Sequence, residues 1–186
     1  MWVDVSTPSP SASGIREYRC TVCGDVAQTQ KIAYAQMYYN NTITSFGPTM
    51  RELIGGSLWN RVTPLDLSQD GVYTYPLIAS NKYTVGTATV EIDQGGQKIT
   101  YHLNSRQITV HSESLVLYPC LDALVTGENA VSVNFEDSIN LKDYFGDDTR
   151  VIMAITIRAD YDATGAGING FSEDKELKQA LIDLLD

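Results

Sequence analysis

Apolar and polar positions alternate most regularly between residues 71 and 118. In 83–92, Ala88, Val90 and Ile92 fall on one side, with Thr87, Thr89 and Glu91 on the other. Asp93-Gln94-Gly95-Gly96 supplies turn residues. Alternation resumes in 97–103, where Ile99, Tyr101 and Leu103 oppose Lys98, Thr100 and His102. Asn104-Ser105 offers a second turn, and 106–111 alternates Ile108 and Val110 against Gln107, Thr109 and His111. Closing both turns gives rows Val90–Ile99–Val110 and Ala88–Tyr101–Ile108 inside. Outside lie the rows Thr89–Thr100–Thr109 and Thr87–His102–Gln107, with Glu91 beside Lys98 and Lys98 beside His111. One register therefore segregates apolar from polar side chains and pairs opposite charges, which predicts an antiparallel meander with one wet face.

Other segments follow the same reasoning. Residues 72–77 read as a strand, with Pro76 arguing for an edge or an end. Residues 114–118 extend the third meander strand or begin another. Val131, Val133 and Phe135 alternate, and 151–157 is continuously apolar, as in a strand covered on both faces. Residues 15–23 form a short strand ending at Gly24. Residues 27–39 fit a two-residue period weakly and a helical one poorly, so a strand is expected there. Pro48 before 49–54, with Gly55-Gly56 after, predicts a short helix. A terminal helix is expected over 172–185, capped by Ser172, with Leu177, Leu181, Leu184 and Leu185 in one stripe.

These elements predict a mainly β domain over 15–186, an antiparallel β-sandwich of immunoglobulin-like architecture. An α+β domain is the alternative should 27–39 be helical. Residues 1–14 contain Ser6-Thr7-Pro8-Ser9-Pro10-Ser11-Ala12-Ser13 and read as a flexible linker. Such spacers tether exposed domains, so a targeting segment removed ahead of Met1 and a secreted or cell-surface location are expected. The helix lacks a stop signal, which suits either a chain continuing past 186 or a frayed natural end.

Composition narrows the picture. With 186 residues, 43% hydrophobic and 19% charged, the chain is long enough and apolar enough for one packed core. Eleven tyrosines favour pleated surfaces. The net charge of −10, with no basic stripe, disfavours nucleic acid and anionic membranes as partners. No apolar run approaches the ~20 residues of a transmembrane helix.

Candidate chemistry is sparse. Tyr18-Arg19-Cys20-Thr21-Val22-Cys23-Gly24 resembles one knuckle of a rubredoxin or zinc ribbon. That resemblance implies a tetrahedral metal with four soft ligands. Cys120 is the one further cysteine, so Cys20, Cys23, Cys120 and a histidine form the conceivable set. The alternative is a disulfide from Cys120 to Cys20 or Cys23. Asp160-Tyr161-Asp162-Ala163-Thr164-Gly165 matches the start of an EF-hand loop, with Asp160 and Asp162 as ligands, but Phe171 stands where a bidentate Glu belongs. No catalytic signature occurs: no nucleophile elbow, phosphate loop, zinc-protease helix or dinucleotide fingerprint. No cofactor is called for. Asn40-Asn41-Thr42 is a glycosylation sequon.

Aromatic residues are the remaining lead. Tyr38, Tyr39, Trp59, Tyr73 and Tyr75 could line a face that stacks on sugars. The expectation is a non-enzymatic surface module that binds protein or glycan, or spaces a larger surface protein. The alternatives are a structural subunit of a pilus or surface fibre, and an enzyme of unrecognised type.

Overall fold

The computed structural model describes residues 1–6, 13–32, 35–93 and 96–186. The Ser/Pro run, Tyr34 and the centre of the 93–96 turn lie outside the described residues. The chain is mainly β, with strands in two antiparallel sheets.

The first sheet is β1 (Trp2–Ser6), β2 (Gly14–Arg19) and β3 (Val26–Ile32), in that spatial order. Trp2 faces Tyr18 and Tyr18 faces Gln28, so residues 2–6 are paired strand rather than linker. The linker reading saw the serines and prolines after Ser6 but not the Trp2-Val3-Asp4-Val5 alternation that earns a place in a sheet. Among side chains of this sheet none is buried; Gly14 alone is enclosed.

The second sheet has ten strands and curls into a half-barrel. In chain order these are β4 (Met37–Ser45), β5 (Thr63–Asp66), β6 (Gly71–Ala79), β7 (Tyr83–Asp93), β8 (Gly96–Leu103), β9 (Thr109–Tyr118), β10 (Val131–Val133), β11 (Ser138–Ile139), β12 (Arg150–Asp162) and β13 (Asn169–Gly170). The spatial path is β10-β9-β12-β4-β6-β7-β8-β11, with β5 pairing β12 and β13 pairing β7. The ten strands form one hydrogen-bonded sheet curled around its own core, so the mainly antiparallel β class is what the pairing shows and the immunoglobulin-like sandwich is not confirmed. Segment 27–39 contributes to β3 and β4, and among its described residues the α+β alternative has no helix to rest on.

The β7–β8 hairpin has the expected register: Val90 pairs Ile99, Ala88 pairs Tyr101 and Glu91 pairs Lys98. The second hairpin does not form. Residues 104–108 are a loop, and β9 crosses to pair β12 from Tyr118 opposite Ile152 to Thr109 opposite Asp160. Alternation defined which face of β9 is apolar but not which strand it meets. The long apolar β12 offers more burial than β8 could. β6 is interior, between β4 and β7. Pro76 is tolerated because the β4 pairing covers only Leu77 to Ala79, and Phe46 N–H donates to Pro76 O beyond it (2.8 Å).

Inside the curl, Ile43, Leu77, Val85, Val90, Leu115, Met153, Ile155 and Ile157 form the buried core. On the other face of β12, Ile152 packs with Val62 and Leu124 under α1 (Met50–Ile54) and α2 (Leu121–Thr126). Both faces of β12 are thus covered there, as its unbroken apolar run implied. Thr49 caps α1, its hydroxyl accepting from Glu52 N–H while the Glu52 carboxylate accepts from Thr49 N–H. A third short helix, α3 (Lys142–Phe145), follows β11. The terminal helix α4 (Lys175–Ile182) starts later than expected, because Asp174 rather than Ser172 accepts from Leu177 N–H. A 3₁₀ turn, Asp183–Leu185, follows. Leu181 enters the core, and Leu177 stays exposed.

Candidate functional site

Where β4, β12 and β9 run side by side, two bulges adjoin. Two β12 steps from Ala159 to Tyr161 match three β4 steps from Asn41 to Tyr38, so β4 carries an extra residue at Tyr39–Asn40. β9 likewise carries an extra residue, His111, between Val110 and Ser112. One carboxylate stitches both. Asp160 Oδ1 accepts from Asn40 N–H (2.6 Å) and from His111 Nε2 (2.8 Å). Those bonds, the Asn40 amide foremost, hold the Asp160 carboxyl below its usual range.

Asp160 is thus a strand residue whose Oδ1 serves the Asn40 amide and His111. Asp162 is likewise committed: its Oδ1 accepts from Gln36 N–H, Thr164 N–H and the Thr164 hydroxyl. The EF-hand match fails because Asp160-Tyr161-Asp162 continues β12 instead of opening a loop.

The β4 bulge shapes a cleft of about 440 Å³ lined by Asn40, Asn41, Thr42, Thr44, Trp59, Asn60, Ile78, Ser80, Asn81 and Arg158. Three of its residues, Asn40 (φ 44°), Ser80 (φ 55°) and Asn81 (φ 53°), hold left-handed backbone conformations without being glycine. Such conformations cost free energy and persist only where surrounding bonds fix them. Here the bonds are explicit. Asn40 O accepts from Arg158 Nη1 (3.2 Å), and Ser80 Oγ donates to Asn41 Oδ1 (2.7 Å) and meets the Tyr161 hydroxyl (2.7 Å).

Trp59 forms the wall between this cleft and a neighbour of about 530 Å³, lined by Thr49, Arg51, Glu52, Trp59, Arg61, Asn81 and Glu173. The indole is 57% exposed and has the Arg51 guanidinium 4.7 Å from its centre. Its backbone is anchored through Arg61, 7% exposed. Arg61 Nε donates to Asn81 Oδ1 (2.8 Å), and Asn81 Nδ2 donates to Trp59 O (3.2 Å). Arg61 Nη1 also donates to Gly47 O (2.8 Å) and Glu173 Oε1 (2.9 Å). Gly47 cannot be replaced there: φ is 156° and a Cβ would lie 1.9 Å from Val62 O.

Two carboxylates line the second cleft. Glu52 and Glu173 share the Lys178 ammonium, at 2.7 and 2.9 Å. Partial burial works against ionisation of Glu52, but Lys178 and Thr49 outweigh it and bring the carboxyl down to about 2. Lys178 and Arg61 likewise lower Glu173. Both groups are thus held as anions. A glycosidase pair needs one member kept protonated. This pair instead ties α4 to α1.

The five expected aromatics separate. Trp59 lines both clefts and Tyr39 is 67% exposed beside Asn40. Tyr38 stacks on Tyr161 at 5.1 Å, Tyr73 is half-buried and Tyr75 lies in the core. Asn60, Ser80, Asn81 and Arg158 were not anticipated, and Asn40 and Asn41 were noted only as part of a glycosylation sequon. Asparagine at strand ends was the available signal, because asparagine tolerates left-handed backbone better than most residues.

Cys20, Cys23 and Cys120 are free and exposed, so no disulfide joins Cys120 to the other two. Cys20 and Cys23 occupy the β2–β3 turn, whereas Cys120 precedes α2. Among the described residues no three His, Cys, Asp or Glu side chains converge as a metal would require. The four-ligand set with Cys120 and a histidine is therefore not assembled. Cys20 Sγ accepts from Val22 N–H (3.4 Å) and Cys23 N–H (3.5 Å), and backbone donation, led by Cys23, lowers its thiol to about 7. Among the described residues no helix is long and apolar enough to cross a membrane.

No family model matches the chain, no curated protein shows detectable similarity to it, and no solved structure matches it.

Proposed function

We propose that the chain is a non-enzymatic recognition module, secreted or displayed at a cell surface, that binds a neutral saccharide across Trp59. The observation that carries this reading is the exposed indole standing between two clefts, one of them bordered by asparagine amides. An indole face covers the apolar face of a sugar ring. Primary amides offer both a donor pair and an acceptor to vicinal hydroxyls. Asn40 and Asn60 line the indole's cleft with such amides and Arg158 adds a guanidinium, on backbone fixed by Asp160 and by the Arg61–Asn81 pair. Pre-formed polar groups around an aromatic floor lower the ordering cost of binding. The ionised, cation-bound state of Glu52 and Glu173 supports binding over hydrolysis. The net charge of −10 favours a neutral over an acidic glycan.

An array of neutral and acidic oligosaccharides, followed by calorimetric titration of the best one, tests the reading. Neutral sugars are expected to bind, with Trp59→Ala weakening affinity at least tenfold and leaving thermal unfolding unchanged. Tyr144→Ala, at another exposed aromatic, should bind as wild type. Absence of saccharide binding, or full affinity in Trp59→Ala, would refute it.

A further inference from the structure

We propose that the Cys20–Cys23 turns of two copies of this chain close on one zinc-class divalent ion, joining their N-terminal sheets in a two-fold dimer. The argument rests on different residues from those of the saccharide cleft.

The first observation is the turn itself. Cys20 N–H donates to Asp25 O and Gly24 N–H donates to Cys20 O, closing a tight loop in which Gly24 takes a φ of 79°. Two backbone N–H groups already aim at Cys20 Sγ. This is a bidentate sulfur donor held in shape before any ion arrives. At its apex Val22 is 94% exposed, so nothing described in the chain stands over it.

The second observation is a count. A closed tetrahedral zinc site takes four donors of the thiolate or imidazole kind. The turn supplies two. Among the described residues no third His, Cys, Asp or Glu converges with these two sulfurs as a metal would require, the turn's own Asp25 included. The residues outside the description, 7–12, 33–34 and 94–95, include none of these four types. A two-fold axis through the ion supplies the missing pair from identical residues.

The third observation is the sheet that carries the turn. It buries no side chain, although Trp2, Val5, Ile15, Tyr18 and Val26 are all at least 38% exposed. Trp2 and Tyr18 meet edge to face at 5.5 Å on one face, with Arg16 over the Trp2 ring at 4.9 Å. A three-stranded sheet without a covered face is marginal in water. A structural metal and a second sheet would supply the missing stability. On binding, four thiols lose their protons to solvent and four sulfur–metal bonds form. No electron is transferred.

The test is native mass spectrometry and light scattering of the full chain under reductant, with zinc added and then chelated. Cobalt(II) substitution is followed in the visible. One metal per two chains, a dimer dissociated by chelator and intense tetrahedral sulfur–cobalt bands are expected. Cys20→Ser and Cys23→Ser should remain monomeric at any zinc concentration, with the main thermal transition unchanged. Cys120→Ser should dimerise as wild type. Four outcomes would overturn the proposal. They are one metal per monomer, no uptake at micromolar zinc after reduction, a Cys20–Cys23 disulfide that reforms and excludes metal, and a dimer that persists in Cys20→Ser.

Discussion

The two sheets are built from similar alternating strands, yet one has an interior and the other does not. In the ten-stranded sheet, six β12 residues from Val151 to Tyr161, taken two apart, point into the core. In the three-stranded sheet, β3 reads Val-Ala-Gln-Thr-Gln-Lys-Ile, with only Ile32 even half-buried. Hydrogen-bonded ladders with local bulges run through both. The difference lies in apolar area removed from water, the main favourable contribution to folding. Ladder geometry alone therefore gives a sheet its shape, and burial gives it independence.

The sharpest way to test that contrast is a matched pair of truncations. Ile155→Ala removes a side chain with no exposure from the middle of β12 and is expected to cost about 3 kcal/mol, lowering the melting midpoint by roughly 6–12 °C. Ile15→Ala, at 38% exposure in β2, should stay within about 0.5 kcal/mol. Calorimetric melts of both variants decide it. A comparable cost at Ile15 would mean that the small sheet has a covered face after all.

Arg61→Met comes next. It leaves Glu173, Gly47 O and Asn81 without their shared cation and is expected to cost about 2 kcal/mol, less than a fully buried pair because Glu173 stays 29% exposed. Urea melts measure it. The two tryptophans divide the signal between the regions: Trp2 reports the small sheet and Trp59 the cleft. In Arg61→Met the Trp59 emission, read with Trp2→Phe, should shift, while that of Trp2, read with Trp59→Phe, should not.

Thr49→Ala removes the α1 cap and should cost about 1 kcal/mol by the same melts. The smallest effect is one of pH. Glu52 sits at about 2 in the fold, well below an unfolded carboxyl near 4.5. Its contribution is complete above pH 4.5 and disappears as pH falls towards 2. With 42% of its side chain exposed, salt should weaken it further. Melting midpoints at pH 6, 4 and 3 should converge between wild type and Glu52→Gln as pH drops.

What could be read from the sequence follows from how local each signal was. The β7–β8 register was legible because a short turn and a two-residue period determine it together. The β9–β12 pairing was not, since thirty-odd residues separate the strands and alternation carries no address. Trp59 was visible as an aromatic, but its asparagine surround was not. That surround depends on two bulges and on Asp160, which the sequence suggested for calcium and the fold uses to hold Asn40. The Cys20–Cys23 turn was legible as a motif, whereas the absence of a third converging ligand among the described residues depends on the fold.

The ends of the large sheet have a consequence of their own. Its path runs out at β10, three residues long, and at β11, two residues long. A free strand border is a template on which another chain can continue the ladder, and the number of vacant amides sets how firmly it is held. β10 and β11 pair only Leu115–Leu117 of β9 and Gln97–Lys98 of β8, so the remainder of each longer strand borders on no further strand among the described residues. The sheet is thereby capped at its two corners and open along the rest of β9 and β8, which is where an extended segment of another chain would find amides to continue the ladder.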